Sequence, residues 1–324
     1  MDKAQHNDID PQTKDEESCD TQTDALPSLT TILGKKKVNG GKSKNHNIAD
    51  KLLKYRMDYP NTSERGHAVI INNENFHWTT GMNSRKGTDA DANNLSRLFN
   101  KLDFKVGVYR DQTTTDMMEI VKQMADKDHK DYDCFIMVLL SHGDDGKIYG
   151  TDGLVEIKKI VDSFRGESCP SLAGKPKIFL FQACRGTKHE VPIKPSGDTV
   201  DSADVVDSKK QNETVVDAAV KATIPSGSDF LFCYSVAEGF YSHRDTLYGS
   251  WYVQAFVEVF EEELINKGKD NAEKMDVLDL LTLVNYKVSL RRVERTRNPD
   301  AIGKKQMPCF LSMLTKKLFL TPKK

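Results

Sequence analysis

From residue 65 onward the apolar positions fall into two rhythms. The blocks 67–71, 104–109, 134–140, 178–182 and 230–235 are short, dense runs of aliphatic and aromatic residues. Runs of that length, bounded by turn residues such as Gly174 and Pro176, read as strands buried on both faces. Between them the period lengthens. Ala92, Leu95, Leu98, Phe99 and Leu102 share one face of a helix over 89–102, and Met117, Ile120, Val121 and Met124 one face of a helix over 114–127. Such methionines fill a core rather than bind a cofactor. Further helices are predicted over 157–164, 251–265 and 277–293, a hairpin over 149–155, and a last strand over 308–320. Strands alternating with helices give an α/β fold, a mainly parallel central sheet with helices on both faces. Right-handed crossovers then place the strands' carboxyl ends on one edge.

The pattern fails in three places. Residues 1–24 hold eight acids, two lysines and almost nothing to bury, so they read as a short disordered acidic segment. Over 34–54 the charge reverses, with seven lysines against one acid, Lys35-Lys36-Lys37 among them. This arm, 25–64, is a solvated linker or a docking patch for acidic partners. Between 187 and 228 apolar residues recur at no period and aspartates are frequent. A structureless run this long inside one domain is expected only where it is functional or cut. Two halves of one sheet therefore flank an exposed linker.

Composition narrows the field. Hydrophobic residues make up 38%, charged residues 29%, and net charge is −1, which gives no bulk attraction to nucleic acid or membrane. No apolar run approaches a membrane span, and the first 30 residues lack a signal-peptide core. The six cysteines include no CxxC pair, so no zinc ribbon or other metal site is expected. They read as free thiols of a reducing compartment, the cytoplasm and possibly the nucleus. GxGxxG and P-loop motifs are lacking, and no cofactor is expected.

The chemistry sits where two strands end. Strand 178–182 runs into Ala183-Cys184-Arg185, and strand 134–140 into Ser141-His142-Gly143. If the two are parallel neighbours, thiol and imidazole face one crevice at the carboxyl edge of the sheet. That is the arrangement a Cys–His nucleophile pair needs. Taken singly, each residue is more often an inert core thiol or a satisfied polar side chain. The full run Gln182-Ala183-Cys184-Arg185-Gly186 matches the established signature of the caspases. The chain thus resembles the caspase family of Asp-specific cysteine proteases, effector type, over about residues 65–320.

The resemblance implies Cys184 as nucleophile, His142 as proton shuttle, and Gly143 with Cys184 as backbone donors to the oxyanion. It implies Arg85, Gln182 and Arg244 as the pocket for the substrate aspartate. Two guanidinium forks and an amide saturate a small carboxylate, and discrimination of roughly 10⁴-fold or more follows when an uncharged side chain leaves them unpaired. Tyr241, Ser242 and His243 are implied to line the second subsite, and Trp251 the fourth. Asp245 stands near the fourth, where many effector caspases carry Asn, and His243 stands where many carry Trp. Both departures, with the run from Ala301 to Gln306, resemble one effector branch, whereas Lys35-Lys36-Lys37 resembles the basic arm of another. Asp245 would repel an acidic fourth residue, so VxxD sites are expected to be cut better than DxxD sites.

Asp24, Asp201, Asp207 and Asp217 each end a tetrapeptide (21–24, 198–201, 204–207 and 214–217) and precede a small residue. They are the expected maturation cuts, leaving a large subunit to 207, an excised 208–217 and a small subunit of 218–324. The resemblance also implies a two-fold dimer with the sheet continued through the last strand, activation by upstream initiator caspases, and inhibition by caspase inhibitors. Two alternatives stay open: a relative with basic or Asn specificity, which Arg85 and Arg244 disfavour, and a catalytically weak homologue acting as scaffold or decoy.

Overall fold

The computed structural model describes residues 58–144, 146–185, 224–267, 275–294 and 299–323. Asp24, Asp201, Asp207, Asp217, the Lys35-Lys36-Lys37 arm and most of the acidic linker lie outside the described residues. Those described all belong to one compact unit.

Its frame is a six-stranded sheet. In chain order its strands are β1 (His67–Asn72), β2 (Lys105–Arg110), β3 (Phe135–Leu140), β7 (Lys177–Gln182), β8 (Phe230–Tyr234) and β11 (Cys309–Ser312). Across the sheet they run β11-β8-β7-β3-β1-β2. Every neighbouring pair is parallel except β11 with β8. Parallel strands need crossovers, and helices α1 (Thr88–Lys101), α2 (Thr114–Ala125) and α3 (Ile157–Asp162) lie in those of the first half, whereas α4 (Trp251–Glu261) and α5 (Val277–Leu290) join β8 to the antiparallel β11.

Strand alternation divides the core in two. Ala68, Ile70, Ile136, Val138, Leu140, Ile178, Leu180, Leu231 and Cys233 face one layer, with α1, α4 and α5. Val69, Ile71, Met137, Leu139, Phe179, Phe181, Phe230 and Phe232 face the other, with α2 and α3. Because both faces are covered, the strands show no polar alternation. The second layer is aromatic: Phe135 stacks on Phe164 at 4.6 Å, and Phe179 on Phe230 at 6.0 Å. Met117 and Met124 are buried filler there. Thr113 and Asp116 form a reciprocal capping box that starts α2.

Two expectations change. The hairpin is three-stranded: β4 (Gly143–Asp144), β5 (Lys147–Tyr149) and β6 (Leu154–Glu156) pair antiparallel, which draws Gly143 into a ladder. The last strand is four residues, not a run over 308–320. Its partner β8 begins at Phe230, so pairing ends at Ser312 with Leu231. Beyond it, Met313 exchanges two backbone hydrogen bonds with Phe230 and Asp229. The chain then leaves the sheet, and Leu318 is held by its N–H donating to Asp276 Oδ2 at 2.8 Å, with its side chain buried in the first layer. A run of apolar residues cannot by itself tell a strand from a buried loop.

Candidate active site

The register places the chemistry. Leu140 at the end of β3 pairs with Gln182 at the end of β7, and Phe181 with Tyr234 on β8. The ladder runs one step further, with Ser141 N–H donating to Gln182 O at 3.3 Å. His142 and Cys184 therefore leave adjacent parallel strands at the same edge. Gly143 follows in close contact with the thiol's own backbone. A Cβ there would lie 2.7 Å from Cys184 O and 2.8 Å from Ala183 Cβ, so only glycine fits.

His142 is fixed on several sides. Its Nε2 is 2.8 Å from Asn83 O, and a carbonyl accepts only, so this nitrogen carries the proton and Nδ1 is the free base. Phe76 packs on the ring at 4.9 Å between centroids, and Tyr149 N–H donates to His142 O at 2.9 Å. Burial pulls its pKa below the ordinary imidazole value, and the Arg85 and Arg244 charges add to this against the opposing Asn83 carbonyl. The ring is neutral at pH 7 and able to accept a proton.

Cys184 is half-buried at the crevice. Cys134 and Cys233 are buried in strand-lined layers, where burial pushes Cys134 up to about 12 and Cys233 upward as well. These are inert core thiols. Arg185 anchors the loop beyond Cys184. Its guanidinium lies 4.1 Å over the Tyr234 ring, and its N–H donates to Phe240 O at 3.2 Å.

A buried cationic pocket adjoins the thiol. Arg85 is 1% exposed. Its Nη1 donates to Asn73 O at 3.0 Å and Thr88 Oγ1 at 2.8 Å, and its Nη2 to Gln182 O at 3.4 Å. Arg244, on β9 (Arg244–Asp245), donates from Nε to Lys86 O at 3.1 Å. Burial lowers both, Arg85 to about 9, and Arg244 pushes Arg85 further down. Both stay charged at neutral pH, and each spends only part of its fork on the protein. Gln182 donates from Nε2 to Ser242 Oγ at 2.7 Å, while its Oε1 is buried without a hydrogen-bond partner. The guanidinium N–H groups left over, with the second Gln182 Nε2–H, suit an anion, whereas the Gln182 Oε1 is an acceptor.

The flanking loop is ordered by groups that sequence reasoning passed over. Gln306, quoted only as the end of a matching run, is buried and bridges two segments: its Oε1 accepts His243 N–H at 2.6 Å and its Nε2 donates to Ser235 O at 2.7 Å. His243 lies against Trp251, ring centroids 4.9 Å apart, and Trp251 N–H donates to His243 O at 3.2 Å. Tyr241 and Ser242 are half-buried beside them. Asp245 uses Oδ1 to accept Leu247 N–H at 2.7 Å and Tyr248 N–H at 2.9 Å, and these bonds hold its carboxyl below the usual range. It therefore shapes the turn from β9 into β10 (Gly249–Ser250) while keeping its charge at the surface. Asp91 was also missed. Its signal was present: an acid in register with Leu95 and Leu98 on the buried stripe of α1. Among the described residues, no group of three or more His, Cys, Asp or Glu side chains could hold a metal.

Known proteins share this architecture. The family model for the Caspase domain matches residues 65–319. Caspase-6 of Mus musculus is 45% identical over 86% of this chain and 96% of its own length. Caspase-7 of Gallus gallus is 38% identical over 98% and 100%. The crystal structure of Caspase-1 from Spodoptera frugiperda superposes with a TM-score of 0.70 at 32% identity, covering 82% of this chain and 96% of that one.

Proposed function

Because the chain belongs to the caspase family, and with it is a cysteine endopeptidase that cuts after aspartate, we propose that Cys184 is its nucleophile and His142 its general base. His142 Nδ1 takes the thiol proton, and the thiolate attacks the carbonyl carbon of the substrate aspartate. The oxyanion is met by the N–H groups of Gly143 and Cys184, each worth about 3 kcal/mol in the transition state. His142 then protonates the departing amine. Water, deprotonated by the same nitrogen, releases the acid product and the free thiol. The observation that carries this reading is the contact of Gly143 with the Cys184 backbone, at the sheet edge where buried Arg85 meets Gln182.

Arg85, Arg244 and Gln182 take the substrate carboxylate. An Asn substrate would leave the buried Arg85 and the half-buried Arg244 short of a counter-charge. Tyr241, His243 and Trp251 line the further subsites. Asp245, with its charge at the surface beside them, disfavours an acidic fourth residue. The chain acts as an effector caspase in apoptosis, made as a zymogen, cut after Asp24 and in the linker at Asp201, Asp207 or Asp217. It pairs with a second copy through β11, whose Leu311 is 56% exposed at the sheet edge, because a bare apolar edge recruits a partner strand.

The test uses purified wild type, Cys184→Ala and His142→Ala with fluorogenic tetrapeptides ending in Asp, Glu, Asn or Arg. Turnover of the Asp series alone, lost in both variants, supports the assignment. Full activity in Cys184→Ala removes it. A Val-first peptide cut more slowly than an Asp-first one removes the role of Asp245.

A further inference from the structure

Asp91 is buried, charged and unused in the mechanism above. It lies in the first turn of α1 and is 0% exposed. Its Oδ1 accepts Ser250 N–H at 2.7 Å, and Gly249 is pressed so closely that a Cβ there would sit 2.2 Å from that oxygen. Its Oδ2 is buried without a hydrogen-bond partner. Burying a carboxylate with half its capacity unmet is costly unless a charge nearby offsets it.

The surroundings identify that charge. Ser250 is the residue paired with Arg244 across the β9–β10 ladder, and it also caps α4 through Val253 N–H. Asp91 thus grips β10, the strand paired with the one that carries Arg244, from a helix whose preceding loop carries Arg85. Gly87, in that loop, approaches β9 itself: a Cβ there would meet Asp245 O at 2.4 Å. Arg85 and Arg244 repel each other, and Asp91 attracts both. Without a substrate, two guanidiniums in one buried pocket need a counter-ion to stay side by side.

We propose that Asp91 is a positioning residue of the aspartate pocket: through Ser250 and through its charge it holds Arg85 and Arg244 together in the empty enzyme, so that a substrate carboxylate meets a preformed pair. This rests on the assignment of those arginines to the substrate acid. The groups facing the site are Arg85 from the loop before α1, Arg244 from β9, Glu74 after β1, Cys184 after β7 and His142 after β3. Burial raises Asp91 to about 6 against its ordinary 3.8, the Ser250 bonds and both arginines opposing. It therefore loses its charge within the range where activity can be measured.

The experiment compares wild type, Asp91→Asn and Asp91→Ala on a tetrapeptide ending in Asp, with KM and kcat taken from pH 5 to 8. Asn keeps an oxygen for Ser250 N–H and removes only the charge. Both variants should raise KM about tenfold at pH 7.5, the usual scale of coupling between contacting groups, with the loss falling on KM rather than kcat. Wild-type KM should climb towards the variant value as pH falls through about 6, and the Asp91→Asn profile should show no such climb. A structural role alone would lower the fraction of active enzyme and leave the KM profile unchanged. Asp91→Asn with wild-type KM at every pH, or with a lower KM, overturns the proposal. Should the variants not fold, Cys184→Ala reports directly on peptide affinity, which should weaken about tenfold from pH 7.5 to 5 by the same coupling. Protonating His142 would tighten it instead, so unchanged or tighter binding also overturns the proposal. Loss of Asp-over-Asn selectivity in wild type would remove the pocket assignment, and this inference with it.

Discussion

Gly143 is the residue on which two strands depend at once. A methyl group there would overlap Cys184 O at 2.7 Å and Ala183 Cβ at 2.8 Å, both parts of the thiol loop rather than a flexible side-chain tip. Gly143→Ala should therefore move the loop and, on the proposed mechanism, lower kcat by about 100-fold, the cost of misplacing an oxyanion donor. KM should change less, because Arg85 is anchored independently by Asn73 and Thr88. Steady-state kinetics beside a thermal melt checks this, and unchanged kcat in a folded variant would refute it. Arg85→Lys keeps a charge but removes the fork. Its kcat/KM on Asp substrates should fall about 100-fold, the loss of two charge-assisted bonds. Residue-level legibility was uneven for a physical reason. Cys184, Arg85 and Gln182 sit in local words where neighbours in sequence are neighbours in space. Asp91 and Gln306 act on segments about 160 and 70 residues away, and no local pattern records such a partner.

At the scale of elements, the central strands and the long helices were legible because each buries a full face. The runs at 134–140 and 178–182 became β3 and β7, neighbours and parallel, and this one pairing brings the strand ends that carry Cys184 and His142 to the same edge. What misled was apolar sequence with no partner strand. Residues 313–320 are hydrophobic enough for a strand, yet β8 begins at Phe230, where Met313 makes the last backbone bonds, and beyond it Leu314, Leu318 and Leu320 pack from a loop on the first layer. Strand β4 was missed because two residues carry no period. The aromatic layer on the α2 face gives a direct test. Phe179 is fully buried against Phe135, Phe164 and Phe230, so Phe179→Ala should cost about 3–5 kcal/mol. Denaturant unfolding would read this as a lower midpoint at unchanged slope. A loss below about 1 kcal/mol would mean that the layer collapses into the gap.

For the whole molecule, acid stability is set at the edge of the sheet opposite the thiol. His67 opens β1 and stands edge-on to Tyr132 at 5.3 Å and to His129 at 6.3 Å. Burial first, then the Lys127, His129 and Lys105 charges, lower His67 to about 4. His129, 0% exposed with Nδ1 unpartnered, is lowered by burial too, against the pull of the Met124 carbonyl. In each case the unfolded chain binds the proton more readily than the folded one. The stability these rings contribute is complete above pH 6.5 and is lost as pH falls towards 4. His142 acts in the same sense. Asp91 acts in the opposite one: raised to about 6, it favours the folded state as pH falls through that value, and offsets part of the loss. With three imidazoles set against one carboxyl, Tm should be lower at pH 5 than at pH 7.5. His67→Asn should shrink that difference, whereas His142→Asn, at the other edge, should remove activity and only its own part of the slope. A melting temperature as high at pH 5 as at pH 7.5 would mean that the folded protein takes up protons on these imidazoles as readily as the unfolded chain does, with water reaching Nδ1 of His129.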